Sequence, residues 1–160
     1  MPVQCLFTLN SQRTSTLNCA GFGGVLAFSG NKQFVDRPDS TDVVGAGAIP
    51  KGRYYIVSRQ TGGRLGPLRD FALDIWSNSE RATWFALYRA DGKIDDETIE
   101  KGVKRSAFRL HPNGRWGISD GCITVTTQQQ FDQLRTYLLK QSTATIPGTS
   151  IQYYGTVDVR

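Results

Sequence analysis

Apolar and polar positions alternate in short stretches along most of the chain, which predicts strands joined by tight turns. Residues 3–9 alternate loosely and give way to a polar run at 10–16. Residues 24–28 are a short apolar segment closed by Ser29-Gly30-Asn31. Residues 31–48 carry Pro38, Asp39, Asp42, Gly45 and Gly47 and predict an extended loop. Pro50-Lys51-Gly52 punctuates ahead of 53–57, a strand of aromatic and β-branched residues. Residues 61–64 read as a turn, 68–76 and 83–88 as strands, and Asp91-Gly92 as another turn. Residues 93–105 are charged and leave room for one short helix. Residues 107–111 predict a strand that Pro112 ends, because proline cannot donate to a ladder. A glycine-rich loop leads to a further strand at 122–126. One helix is predicted over 128–140, capped by Thr126 or Thr127, with Phe131, Leu134, Tyr137 and Leu138 on one stripe. Residues 151–159 read as a last strand. The pattern is mainly β with one main α-helix.

At 160 residues, with no repeat, low-complexity tract or linker, residues 1–160 read as one domain. No stretch reaches the length of a membrane span. The N-terminus lacks the basic and apolar regions of a secretory signal peptide. The net charge of +5 is scattered, with Lys101, Lys104 and Arg105 as the one small cluster. That distribution argues against a nucleic-acid interface, which needs a concentrated basic face. It suits a soluble surface or an acidic partner.

Candidate chemistry concentrates between residues 108 and 125. This stretch holds the single histidine, His111, and one of three cysteines, Cys122. A thiol becomes a strong nucleophile as thiolate, and an imidazole is its usual base. Gly121 permits close backbone approach, so the Gly121 and Cys122 amides are candidate oxyanion donors. Ser119 is placed to hold the loop through a local hydrogen bond. Asp120 is either an orienting or cation-selecting carboxylate or a solvated turn residue. Arg115 and Trp116 offer a carboxylate clamp and a substrate wall, with surface charge and packing as the alternatives. Cys5 and Cys19 are open to two readings, a mutual disulfide or two separate thiols. No zinc-ligand spacing occurs, and neither metal nor cofactor is expected.

These residues resemble the L,D-transpeptidase catalytic domain, with its upstream histidine and its Ser/Thr-His-Gly-Cys signature followed by an apolar residue. Ser119, Gly121, Cys122 and Ile123 match that signature, and His111 matches the histidine. Pro50-Lys51-Gly52-Arg53-Tyr54-Tyr55-Ile56 resembles an earlier Pro-x-Gly-x-aromatic-x-Ile strand of the family. Asp120 stands where those enzymes usually carry histidine, and Thr124 stands near a frequent arginine. The resemblance is closest to the L,D-transpeptidase-like antibacterial effectors of type VI secretion systems, through Ala27-Phe28-Ser29-Gly30, His111-Pro112 and the 119–124 segment.

The resemblance implies a β-sandwich-like domain with a helix beside the cysteine. It implies L,D-carboxypeptidase or L,D-transpeptidase action on peptidoglycan stem peptides, with Cys122 as nucleophile, His111 as base, and Ser119 and Gly121 in the catalytic turn. Asp120, Arg115, Trp116, Thr124, Ser29 and Tyr54 become the substrate-side candidates. It also implies export through a secretion apparatus without a signal peptide, action in the periplasm of a target bacterium, and a cognate immunity protein. Two other readings compete. A sortase-like acyltransferase would need Arg135 as an oxyanion partner, but His111 and Cys122 are too close in sequence for that pattern. A non-catalytic wall-binding module would keep the scaffold alone.

Overall fold

The computed structural model describes residues 1–58, 83–114 and 119–160. The 61–64 turn and the 68–76 strand expected above lie outside the described residues, as do Arg115 and Trp116.

Eight strands close into a barrel. They are β1 (Val3–Phe7), β2 (Ser15–Cys19), β3 (Gly23–Phe28), β4 (Gly52–Ser58), β5 (Phe85–Arg89), β8 (Arg109–Pro112), β9 (Ile123–Val125) and β12 (Gly155–Val159). Around the barrel the order is β1, β12, β4, β5, β8, β9, β3, β2 and back to β1. Pairs β1–β12 and β8–β9 run parallel, and the other neighbours run antiparallel. Among the described residues the mainly β class with one α-helix after Cys122 holds, and the expected sandwich-like layers are a single closed sheet.

Alternation decides what fills the barrel. On β1, Val3, Cys5 and Phe7 point inward, and Gln4 and Leu6 face out. β12 repeats the rhythm with Gly155, Val157 and Val159 buried. Tyr54, Ile56, Phe85, Leu87, Leu110 and Ile123 join the same core. Helix α1 (Gln128–Leu139) adds Phe131, Leu134 and Leu138 to it. Its N-cap is Thr127, whose hydroxyl accepts from the Gln130 amide at 3.2 Å. Each fully buried stripe residue contributes roughly 1.5–3 kcal/mol.

The structure departs from the sequence pattern in three places. Ser15–Cys19 is a strand, though it overlaps the polar run; Ser15, Leu17 and Cys19 are its buried positions. The charged 93–105 stretch is not helical. It forms a hairpin of β6 (Glu97–Glu100) and β7 (Val103–Ser106). Its two-residue loop, Lys101-Gly102, has φ of 50° and 79°, as a type I′ turn requires. A Lys104–Glu97 ion pair at 2.9 Å spans the hairpin. The final segment divides into β11 (Gln152–Tyr153), paired with β10 (Ala144–Thr145), and β12. The β10–β11 pair accompanies a second apolar cluster of Val57, Ala86, Tyr88 and Ile146. Cys5 and Cys19, opposite one another on β1 and β2, are joined as a disulfide, so Cys122 is the cysteine outside it.

Candidate active site

β8 and β9 bring the two halves of the candidate chemistry together. Their parallel register sets Leu110 against Ile123, His111 against Thr124 and Pro112 against Val125. Leu110, Ile123 and Val125 go to the core. His111 and Thr124 therefore share the other face of the sheet, and both are buried. Cys122 immediately precedes β9, two residues before Thr124, so strand alternation brings it toward the His111 side.

The imidazole is fixed on three sides. Its Nδ1 lies 2.7 Å from the Pro112 carbonyl oxygen. A carbonyl only accepts, so Nδ1 carries the proton and Nε2 is the basic end of the neutral ring. Nε2 faces the Thr124 hydroxyl at 3.3 Å. The ring stacks on Trp84, with centroids 4.3 Å apart and planes 22° from parallel. The Pro112 carbonyl occupies the orienting position at Nδ1, and Asp120 is exposed on the turn.

The turn that leads into Cys122 is closed by its own residues. Ser119 Oγ donates to the Cys122 carbonyl at 2.8 Å, the local bond expected of it. Gly121 has φ of 106°, a conformation that favours glycine. A Cβ there would collide with Arg105 Nη2 and approach Phe108 Cε1 to 3.1 Å. The half-buried Cys122 Sγ reaches the Ala107 carbonyl at 3.8 Å. Two buried arginines flank this region. Arg109 is held by Asp96 through two 2.6 Å bonds. Burial opposes its charge, but the Asp96 pairing outweighs burial and raises its pKa. Arg105 donates to the carbonyls of Thr41, Ala48 and Gly47.

The substrate-side candidates separate. Thr124 is in the site as a neighbour of His111. Ser29 and Tyr54 are interior residues with no exposed surface for a ligand. Ser29 Oγ accepts from the Ile49 amide at 2.8 Å, and the Tyr54 hydroxyl donates to the Pro50 carbonyl at 2.8 Å. Ser29 thus fastens the 30–48 loop to the end of β3, and Tyr54 fastens the Pro50 turn to β4. Trp84, Arg105 and Arg109 are the site neighbours that sequence reasoning did not single out. Trp84 belongs to an apolar stretch that reads as core, and Arg105 to a basic cluster that reads as surface.

Residues 24–149, well over half of the chain, match the Tlde1 domain family. The chain belongs to that family. A Tlde1 domain is an L,D-transpeptidase-like effector domain of type VI secretion. No curated protein and no solved structure matches the chain. The matched span contains all of β3 but its first residue, and the 30–48 loop, His111, Cys122 and α1, so the Tlde1 assignment covers the elements around the site.

Proposed function

We propose that this Tlde1 domain is a cysteine acyl-transfer enzyme that trims or exchanges the terminal D-alanine of peptidoglycan stem peptides. The observation that carries the reading is His111, fixed with Nδ1 on a carbonyl and Nε2 toward the strand that Cys122 leads. Nε2 takes the thiol proton, and Sγ attacks the carbonyl that joins the L-centre of the diamino acid to D-alanine. The C–S bond forms, the C–N bond breaks, and His111 returns the proton to the departing amine. Water then opens the thioester to a carboxylate and restores the thiol; a D-amino acid doing so instead gives exchange. The Gly121 and Cys122 amides are the proposed oxyanion donors, on a turn held by Ser119.

Family membership supports a setting in which the protein is delivered by a type VI apparatus into the periplasm of a neighbouring bacterium. Trimming there depletes donor stems and weakens the wall, and a cognate immunity protein would protect the producer.

Mass spectrometry of tetrapeptide muropeptides incubated with wild type and Cys122→Ala tests the reading. The expected result is loss of one alanine with wild type alone, or its replacement when a D-amino acid is supplied. Equal trimming by Cys122→Ala refutes it. Binding without trimming by wild type favours a wall-binding module.

A further inference from the structure

We propose that Arg105 is a positioning residue that holds Cys122 as a thiolate from behind the Gly121–Cys122 turn; this rests on the reading of Cys122 as nucleophile. Arg105 is 3% exposed. Its guanidinium is clamped by the Thr41, Gly47 and Ala48 carbonyls and lies 5.4 Å from the centre of the Phe108 ring. Carbonyl dipoles solvate a buried cation but leave its formal charge uncompensated. Arg109 makes the contrast, because Asp96 neutralises it bidentately.

The anions around Arg105 narrow the choice. Glu100 and Asp42 interact with it through space. Glu100 is already engaged by Arg89 Nη1 at 3.2 Å and by the Thr41 hydroxyl at 3.0 Å. Asp42 lies 3.9 Å from Lys101 Nζ. Among the described residues two further groups act on it through space: Tyr54, whose hydroxyl burial keeps protonated, and Cys122 when ionised. Arg105 Nη2 packs against Gly121, the residue before Cys122, since a Cβ at that position would overlap it. The carbonyl clamp keeps the guanidinium from swinging out to solvent or substrate. Its charge acts on the sulfur through buried protein, where salt screens poorly. A nearby opposite charge favours the ionised form of an acidic group. The 41–48 loop, far from the cysteine in sequence, thereby becomes part of its activation.

Iodoacetamide alkylation of the oxidised protein across pH reads this without any substrate, because the Cys5–Cys19 disulfide leaves Cys122 as the thiol that reacts. His111→Ala removes the other proposed source of activation. In that background the alkylation midpoint is expected below the ordinary cysteine value of about 8.5. Adding Arg105→Gln, which keeps an N–H donor for the loop carbonyls, should raise the midpoint and slow alkylation at pH 7 about tenfold. Arg105→Lys should recover most of that loss, and 1 M NaCl should not reproduce it. A His111→Ala midpoint at or above about 8.5, or a folded Arg105→Gln protein with an unchanged profile, overturns the proposal. The two readings fail separately. Cys122-dependent trimming with an Arg105-independent profile sinks only this inference, whereas an Arg105-dependent profile without trimming sinks only the proposed substrate.

Discussion

At the scale of single residues, the site is organised by polar groups whose partners are main-chain atoms. Pro112 oxygen fixes His111, the Cys122 carbonyl fixes Ser119, and three loop carbonyls fix Arg105. Backbone partners do not titrate, so these orientations persist across pH. Asp36 is different. It is fully buried, and its Oδ1 accepts from the Ser29 amide at 2.8 Å. Burial raises its pKa from 3.8 to about 7, against the lowering effect of the Ser29 bond. Between those two values the folded state keeps a proton that the unfolded chain has released. Stability from this group is therefore lost as pH rises from 3.8 toward about 7, and it levels off above. Urea unfolding at pH 5 and pH 8 should show wild type losing more stability across the interval than Asp36→Asn, which retains the Ser29 acceptor. Equal losses in the two proteins would contradict this.

At the scale of elements, the disulfide joins β1 to β2 across a separation of 14 residues. A closed loop of that size contributes about 3 kcal/mol by restricting the unfolded chain. Replacing Cys5 and Cys19 together by serine should lower urea stability by about that amount and leave Cys122 alkylation unchanged; a loss below about 1 kcal/mol would reject the estimate. The elements also show where sequence is informative. The 53–57 strand and α1 carry strong periodic signals and appear nearly in place. β2 escapes notice because two of its three buried residues are Ser15 and Cys19, so its alternation is weakly apolar. The 97–106 hairpin is concealed by its charges. Its strand character rests on Thr98, Ile99 and Val103 and on the Lys101-Gly102 turn.

At the scale of the whole molecule, barrel closure creates what no local pattern contains. The parallel β8–β9 register follows from closing eight strands, and it sets Thr124 rather than Cys122 opposite His111. His111, Ser119, Gly121 and Cys122 were legible because they are close in sequence. Trp84, Arg105 and the 41–48 loop were not, because only the folded barrel brings Trp84 onto His111 and sets Arg105 and the loop behind Gly121. The central claim is that this assembly forms a thioester on Cys122. The most direct measurement is mass spectrometry of acid-quenched protein after mixing with a tetrapeptide stem, followed by mapping of the modified peptide. The predicted result is a stem acyl group lacking the terminal alanine on Cys122, released by hydroxylamine and absent from Cys122→Ala. An acyl group on any other residue, or alanine release by Cys122→Ala at the wild-type rate, would contradict it.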